Sequence, residues 1–392
     1  MNRWPARLTV AGPGNVRVRR VLAQALFLAA VAAAGAFVYA NVTRNLQQLG
    51  IPLGFEFLRY PASFAIGETS IAYQPSDPYL RAFLAGLVNT LRVAGVGIVL
   101  ATILGVVAGL ARLSTNALVR MVASVYVEVV RNTPLLLQLF FWYGAVFLRL
   151  PPPDQALRLP GPVFLSNRGL VLPAPRPGPG LGAWLVVVLV GLAVGILLYR
   201  RLERMRVEQG RDTRPGLAAV VTAAAVAVAG WAILPAAPLV WSEPEMARFN
   251  FQGGVMLSPG FASLLIGLVV YTGAFIAEVV RGGVLAVPRG QWEAARALGL
   301  PPLLVLRLVV LPQALRVIVP PLTSQYLNLL KNSSLAIAVA YPDVLNVSST
   351  VVNQTGRTLE MLVLVGLTYL SFSLLTALLM NVYNRAVRRG VS

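Results

Sequence analysis

The stretch that decides the fold lies at residues 281–312 and reads RGGVLAVPRGQWEAARALGLPPLLVLRLVVLP. It is a water-facing stretch between two strongly apolar segments. Within it, Glu293-Ala294-Ala295 is followed after three residues by Gly299, and after nine more by Val309-Val310-Leu311-Pro312. The pattern predicts a short helix on the surface of a membrane, between two spans.

A purely structural interpretation of the same residues stays open. Residues 293–298 form a good helix sequence, and Gly299 ends such a helix in the ordinary way before Pro301-Pro302. The long spacing to Leu311-Pro312, and the position between two spans, favour a functional loop.

Composition indicates a membrane protein. Of the 392 residues, 57% are hydrophobic and 12% are charged, whereas an ordinary soluble domain has about a quarter charged residues. Cysteine and histidine are absent, which excludes disulfides, thiolate chemistry, Ser-His-Asp triads and histidine-ligated metals. We therefore expect a polytopic membrane protein with no catalytic residues and no metal site.

The net charge of +19 alone would suit a nucleic-acid partner. The arginines, however, cluster at the ends of apolar segments without interleaved aromatic residues, as topology signals do. The single lysine, Lys331, follows no glycine at Walker-A spacing, so the chain has no P-loop. We expect no nucleic-acid partner, and an ATP-driven step would need another subunit.

Apolar runs of about 20 residues can cross the ~30 Å of hydrocarbon in a bilayer. Eight such runs predict an all-α membrane protein with about eight transmembrane helices. The runs lie near 20–40, 86–110, 121–147, 182–199, 217–240, 259–280, 315–340 and 361–383. The first is too long for a typical signal peptide and is expected to be retained. Residues 148–181, rich in proline and glycine, are expected to be irregular and partly rigid.

Arginine counts predict the orientation. Residues 200–214 contain six arginines and residues 385–389 contain three, whereas the outer loops contain fewer than half as many as the inner loops in much greater length. On this count both termini and the loop at 281–312 face the cytoplasm.

The spacing within 281–312 resembles the signature loop of the membrane permease subunits of bacterial ABC importers, with Val309 where the family has Ile. In that family the loop forms a short helix that docks into a groove on the cytoplasmic ATPase. Residues 128–136 (EVVRNTPLL), 277–283 (AEVVRGG) and 331–335 (KNSSL) extend the resemblance, with Asn132 in place of the usual glycine. The combination most resembles the larger permease of a polar or general L-amino-acid importer.

The resemblance implies a type I importer fold with a core of about five helices. We map the permease domain to 86–386, with a proline-rich loop and a helical hairpin inserted at 148–257. Residues 1–85 would be an N-terminal transmembrane helix and an extracytoplasmic loop. The implied location is the bacterial inner membrane, among its lipids.

The resemblance also implies partners for the chain. They are an ABC ATPase subunit that holds ATP and Mg, a sister permease or a second copy of this chain, an extracytoplasmic solute-binding protein, and an L-amino acid; this chain would bind no cofactor itself. In the loop, Glu293 and the first turn of its helix are expected to face the ATPase. Ala294 and Ala295 would permit close approach, Gly299 would let the chain turn, and Arg296 would pair across the interface or face water.

Charged groups inside a bilayer are costly, by ~2.5 kcal/mol or more, so they usually have partners or tasks. Glu128 and Arg131 are three residues apart and can pair on one helical face, next to Asn132 and Thr133. Pro134 removes a backbone donor and would open the helix beside them. The four polar residues are candidates for a substrate pathway, or they only fix this helix near the inner interface.

Lys331-Asn332-Ser333-Ser334 is the stronger pathway candidate. On a helix starting at Leu315, Lys331 would lie ~24 Å along the axis, past the membrane midplane. These residues offer a cation for a carboxylate, and amide and hydroxyl groups for hydrogen bonds, which suits a zwitterion. Gln325 extends the same polar seam. The alternative is that these groups only hold neighbouring helices together.

Two other classes of function fit the sequence less well. An ATP-independent secondary transporter or channel needs coupling-ion carboxylates deep in the membrane, where only Glu128 and Glu278 are available. An intramembrane enzyme would need an Asp pair or a Ser-Lys dyad. The predicted spans contain no Asp, and Lys331 has no recognisable oxyanion feature beside it. The sequence therefore favours a pore subunit that is not an enzyme.

Overall fold

The computed structural model of the chain describes residues 13–48, 54–209, 214–247 and 250–389. Residues 1–12 and Arg211, which the arginine pattern assigns to the inner side, lie outside this part. The α-helices of the described residues are α1 (Pro13–Gln48), α2 (Tyr79–Ala111), α3 (Ala117–Asn132), α4 (Leu135–Phe140), α5 (Leu181–Gln209), α6 (Pro215–Ile233), α7 (Pro259–Leu285), α8 (Arg289–Ala297), α9 (Pro302–Leu304), α10 (Leu311–Asn332), α11 (Val344–Thr355) and α12 (Thr358–Arg389).

Seven helical segments of the described residues are long and apolar enough to cross a bilayer. They are α1, α2, α5, α6, α7, the segment Pro302–Val339 that contains α10, and α12. The prediction of a largely helical, multi-pass membrane protein is confirmed by these elements.

The eighth predicted span, 121–147, is divided into pieces. Helix α3 ends at Asn132, and α4 starts after Pro134 and passes into a π-helical turn at Phe141–Val146. The break follows from Pro134, which has no N–H to donate and whose ring opposes a continuous helix. The side-chain amide of Gln138 donates to the carbonyl oxygens of Val130 and Thr133, each at 3.0 Å, and so pairs backbone groups near the break.

The contact between α2 and α7 forms the centre of the bundle. A Cβ atom added to Gly105 of α2 would lie 2.5 Å from Cβ of Ile276, and one added to Gly109 would lie 2.7 Å from the carbonyl oxygen of Ala277. Small residues at such positions let membrane helices approach closely. Helix α10 packs on α7 and α12, and α11 packs on α2, which places the loop at 281–312 at one end of the bundle and α11 at the other.

The proline-rich loop was predicted to be irregular, but it contains short strands. The strands of this region are β1 (Leu157–Leu159), β2 (Val163–Ser166), β3 (Gly169–Leu172), β4 (Ala174–Pro177), β5 (Leu239–Ser242), β6 (Glu245–Met246), β7 (Phe251–Gln252) and β8 (Val255–Leu257). Strands β1, β2, β3 and β8 form one antiparallel sheet in that order, and Ser166 pairs with Gly169 across a two-residue turn. The apolar run at 163–172 was the available signal, and the prolines around it obscured it.

Helices α5 and α6 form a hairpin that packs mainly on itself. A Cβ atom added to Gly191 would lie 3.0 Å from Val226, and Trp184 donates from Nε1 to the carbonyl oxygen of Ala227 at 2.9 Å. Within the described residues, neither helix makes an extensive contact with any element other than its partner in the hairpin.

Candidate functional site

The loop at 281–312 folds into the short helix α8 and a glycine stop. The N–H of Gly299 bonds to the carbonyl of Arg296 at 2.9 Å, and the N–H of Leu300 bonds to the carbonyl of Ala295 at 3.3 Å. This pair of bonds is the Schellman arrangement, which requires a left-handed residue after the helix. Gly299 provides it with a φ of +75°, a conformation that residues with a side chain rarely adopt.

One face of α8 packs on the rest of the chain. Ala295 is only 3% exposed and belongs to the same buried cluster as Val305 and Val310. Gln313 of α10 donates from Nε2 to Oε1 of Gln291 at 3.2 Å, which also ties α8 to the bundle. Of the residues predicted to approach an ATPase, Ala295 therefore points inward, and its small side chain permits close packing against this chain's own helices.

The other face of α8 is free within the chain. Glu293, Ala294, Arg296 and Gly299 are all exposed, and Leu298 is 80% exposed. A surface that combines a carboxylate, a guanidinium and an exposed leucine has the mixed character of a protein contact site.

A cavity separates part of α8 from the bundle. Its volume is about 600 Å³, and residues from α2, α7 and α8 line it, including Leu110, Leu285, Trp292 and Arg296. Helix α8 is therefore attached to the bundle along one face only.

Glu128 and Arg131 do not pair with each other, contrary to the prediction. Arg131 instead lies 3.7 Å from Glu278 of α7, and the guanidinium of Arg112 from the end of α2 and that of Arg281 also bind this carboxylate. Glu128 is exposed and has no ion-pair partner among the described residues.

The cluster around Glu278 joins α2, α3 and α7 close to the end of the bundle that carries α8. Glu278 is seven residues from the end of α7, or ~10 Å along its axis. The three-residue spacing of Glu278 and Arg281 was visible in the sequence, but Arg112 and Arg131 join them only through packing. Of the neighbouring candidates, Asn132 is exposed, and Thr133 donates its hydroxyl to the carbonyl of Val129 at 2.8 Å.

Helix α10 ends within the polar sequence at 331–334. Asn332 is its last residue, and the chain continues as a 3-10 helix over Ser333–Val339. Ser333 is fully buried and donates to the carbonyl of Leu330 at 2.7 Å, and Ser334 donates to the carbonyl of Lys331 at 2.7 Å. The two hydroxyl groups thus stabilise the change from one helix type to the other.

The exposed residues of α10 include a polar stripe. Ser324, Asn328 and Lys331 are spaced by four and three residues, which places them on one helical face, and all three are exposed within this chain. Gln325 is half-buried next to this face, and Tyr326 shares a 2.9 Å hydrogen bond with Thr102 of α2. A polar face on a spanning helix is suited to line a pathway or to meet another subunit.

The structure does not join the two groups of pathway candidates. No hydrogen bond or ion pair among the described side chains links residues 128–133 to residues 331–334. No group of three or more acidic residues that could hold a metal ion occurs in the same part of the chain.

A buried polar network at the opposite end from α8 was missed by the sequence analysis. Asp343 is fully buried, caps α11 by accepting from the N–H of Asn346 at 2.8 Å, and accepts from the Tyr369 hydroxyl at 3.4 Å. Asp343 lies between the spanning segments, and its burial raises the pKa of the carboxyl to about 7. The side chain of Thr90 accepts from the N–H of Val344 at 3.0 Å, which ties α2 to this network.

The comparisons with known proteins agree with one another. The family described as "Binding-protein-dependent transport system inner membrane component" matches residues 101–389. YhdX of Escherichia coli (strain K12), named as an amino-acid ABC transporter permease, is 47% identical over 387 residues, which cover 97% of this chain and 98% of that relative. The general L-amino acid transport system permease protein AapQ of Rhizobium johnstonii is 41% identical over 97% of this chain and 94% of its own length.

Among solved structures, this chain is similar to one chain of an amino acid ABC transporter with histidines. The TM-score is 0.47 at 20% sequence identity, and the match covers 79% of this chain and 95% of the other.

Proposed function

This chain belongs to the inner-membrane components of binding-protein-dependent transport systems, as a permease, and we propose that it imports L-amino acids and is driven by a separate ATPase docked on α8. The substrate class rests on the two relatives that are named for amino-acid transport and that match nearly the whole chain. Their similarity supports the same class of solute for this permease.

The single observation that carries the coupling role is the exposed face of α8. Glu293, Ala294 and Arg296 are exposed, and Glu293 and Arg296 border the cavity between α8 and the bundle, while the opposite face is held by Ala295 and by the hydrogen bond from Gln313 to Gln291. A helix attached along one face can transmit a push from a bound protein to the spans behind it. ATP-driven closure of an ATPase dimer would move α8 and so alternate the access of the pathway.

The polar stripe on α10 is the best candidate for the pathway itself. Lys331 and Asn328 are exposed within this chain, so they are available to a solute or to a second permease. A lysine ammonium would attract the carboxylate of an amino acid, and Asn332 and Gln325 would supply amide hydrogen bonds. Arg131, Asn132, Thr133 and Glu128 belong to a different region, and Arg131 is engaged with Glu278.

The partners follow from this function. The family depends on a binding protein by its description, and an extracytoplasmic solute-binding protein would deliver the amino acid to the end of the bundle that carries α11. ATP and Mg would be bound by the ATPase, and a sister permease, or a second copy of this chain, would complete the pathway. Both termini and α8 would face the cytoplasm of a bacterial cell.

A charge reversal on α8 tests the coupling role. Glu293→Lys changes an exposed residue that supports no part of the fold, so membrane insertion should be unaffected. The tagged permease should, however, no longer recover the ATPase, and amino-acid uptake should be lost. Gly299→Asp should also lose the ATPase and uptake, because a side chain at the left-handed φ of +75° disturbs the turn that ends α8 and adds a carboxylate to its exposed end. The measurement is co-purification from native membranes together with uptake of labelled amino acids.

Glu208→Lys is the matched control, since Glu208 is also exposed, lies at the predicted inner end of α5 and undergoes the same change of charge. It should leave ATPase recovery and uptake unchanged. Normal uptake by both Glu293→Lys and Gly299→Asp would refute docking through α8. Recovery of the unmodified permease without any ATPase, in a detergent that preserves other complexes, would instead favour an ATP-independent transporter.

A further inference from the structure

The cluster around Glu278 carries more positive charge than this chain neutralises. The guanidinium groups of Arg112, Arg131 and Arg281 all lie within ion-pair distance of the single carboxylate of Glu278. Glu128, the carboxylate of α3, is exposed and forms no ion pair among the described residues. Three cations therefore share one anion, which leaves two positive charges formally unpaired.

The ends of two helices offset part of this excess. Arg112 directly follows α2, and Arg131 lies in the last turn of α3. The C-terminal end of a helix acts as about half a negative charge, so the two ends together supply about one. About one positive charge remains for a partner from outside the chain.

Arg131 is the least engaged of the three arginines. Its Nη1 lies 3.7 Å from Oε2 of Glu278, whereas Arg112 and Arg281 donate hydrogen bonds to that carboxylate. The guanidinium of Arg131 lies 5.1 Å from the centre of the Phe275 ring, an attraction that orients it without using its N–H donors. The Arg131 side chain is 40% exposed and donates no hydrogen bond within the described part of the chain. Its N–H groups are therefore available to a ligand.

The position of the cluster along the helices identifies its surroundings. Helix α7 has 27 residues and is ~40 Å long, ~10 Å more than the hydrocarbon thickness of a bilayer. Glu278 lies ~10 Å from the end of α7, and Arg112 follows the last residue of the span α2. The cluster is thus at the edge of the hydrocarbon, at the end of the bundle that carries α8. Long arginine side chains reach the phosphate layer of the lipids from this depth.

We propose that Arg131, together with Arg281, binds the phosphodiester of an anionic phospholipid in the leaflet at the α8 end of the bundle. A phosphodiester carries one negative charge, which completes the charge balance, and its oxygens match the planar fork of a guanidinium. The bilayer presents this group at this depth around the whole chain, whereas a carboxylate of another subunit reaches the cluster only by docking there. The bound lipid should stabilise the junction of α2, α3 and α7. This site goes beyond the transport function and needs no solute.

The test uses the full chain, purified with the subunits that accompany it and stripped of lipid in detergent. Dioleoyl phosphatidylglycerol is titrated in, while the thermal unfolding midpoint and the lipid retained in native mass spectrometry are measured. The midpoint should rise and saturate, and at least one phosphatidylglycerol should be retained. Dioleoylglycerol, which has the same acyl chains without the phosphate, and inorganic phosphate alone should not raise the midpoint. Equal stabilisation by inorganic phosphate would overturn a lipid as the source of the anion.

Substitution of Arg131 separates lipid binding from a structural role. Arg131→Gln should weaken the apparent affinity for phosphatidylglycerol by about tenfold or more, the range for one charged hydrogen bond. Without lipid, the same variant should unfold at an equal or higher temperature than the unmodified protein, because it removes an unpaired charge. An arginine that only held the ion cluster together would instead lower the lipid-free midpoint when replaced.

Arg120→Gln is the matched control, since Arg120 is exposed on the same helix and the net charge changes equally. Arg120 donates to the carbonyl of Ser114 at 2.8 Å and makes no ion pair with Glu278, so its variant should keep the affinity of the unmodified protein. Equal weakening in both variants would show that phosphatidylglycerol responds to overall charge and would overturn the site.

An unchanged affinity in Arg131→Gln, with a lower lipid-free midpoint, would mean that Arg131 serves only the fold. Loss of an accompanying subunit from Arg131→Gln, with no change in lipid binding, would assign the missing anion to that subunit and overturn the lipid. Arg131→Lys keeps the charge but not the planar fork, so it should bind phosphatidylglycerol more weakly than the unmodified protein. An unchanged affinity in Arg131→Lys overturns the inference even where Arg131→Gln fails to fold.

Discussion

At the scale of single residues, Asp343 shows how position changes the chemistry of an ordinary carboxyl group. Burial opposes its charged form, while the N–H groups at the start of α11 and the Tyr369 hydroxyl favour that form. Burial is the larger effect, so the pKa rises from 3.8 to about 7. Helix capping therefore favours the ionised carboxyl group of Asp343, whereas burial favours the protonated one.

This balance predicts how stability depends on pH. Because the pKa of Asp343 is higher in the folded state, the folded state binds the proton more tightly, and acidification stabilises it. This stabilisation is lost as the pH rises from about 4 towards 7, and above that range Asp343 no longer makes the free energy of unfolding depend on pH. The total loss is at most about 1.4 kcal/mol for each unit of difference between the folded and unfolded pKa. Thermal unfolding in detergent at several pH values measures it, and Asp343→Asn should reduce the slope. Equal slopes for the two proteins would contradict the prediction.

At the scale of helices, the α2–α7 contact depends on the absence of a side chain at particular positions. A Cβ atom at Gly105 would lie 2.5 Å from Ile276 and 2.9 Å from the carbonyl oxygen of Gly273, so Gly105→Ala must push the helices apart. We expect a loss of about 1–3 kcal/mol in stability, measured by thermal unfolding in detergent. Gly95→Ala on the same helix is the control, because nothing lies within 4 Å of a Cβ there. A loss of equal size in both variants would show that the contact is not the cause.

The cluster around Glu278 gives a second prediction at this scale. Glu278→Gln would leave the guanidinium groups of Arg112, Arg131 and Arg281 without their shared carboxylate, near the junction of α2, α3 and α7. The expected loss is about 1–3 kcal/mol in unfolding free energy, because charged hydrogen bonds are removed at a partly exposed site. Glu128→Gln is the control, because Glu128 lies on α3, the helix of Arg131, and has no ion pair among the described residues. It should have no measurable effect on the unfolding free energy. An unchanged unfolding midpoint in Glu278→Gln would mean that water solvates the three arginines adequately.

The sequence predicted helices better than contacts between helices, for a physical reason. A spanning helix is encoded by a continuous apolar run, so seven of the eight runs correspond to spanning helical segments, and Pro134 explains why the run at 121–147 is broken. The partner of Arg131 depends instead on how α3 crosses α7, which spacing along one helix does not encode. Strands β2 and β3 were missed because proline and glycine around them outweighed a short apolar run.

At the scale of the whole molecule, the α5–α6 hairpin is joined to the rest through one narrow neck. The N–H of Gly178 bonds to the carbonyl of Pro238 at 2.8 Å, and β4 pairs with β5 beside it, so the chain leaves and returns at the same point. The hairpin contributes two spans, an even number. Its removal should therefore leave the orientation of every later span unchanged.

Deletion of residues 179–237, with Gly178 and Pro238 joined by a short glycine-serine linker, tests this view of the molecule. The remaining core should insert normally, bind the ATPase and keep its stability to within ~0.5 kcal/mol, because the deleted part shares no extensive contact with it. Removal of α5 alone is the matched control: it leaves an odd number of spans and should carry α8 to the wrong side of the membrane.

The chain contains no cysteine, so Gly290→Cys, on the exposed surface of α8, provides a single thiol whose labelling from either side reports the orientation. Labelling of Gly290→Cys from the outside in the full-hairpin deletion, or loss of the ATPase from it, would mean that the hairpin holds the core in place rather than standing beside it.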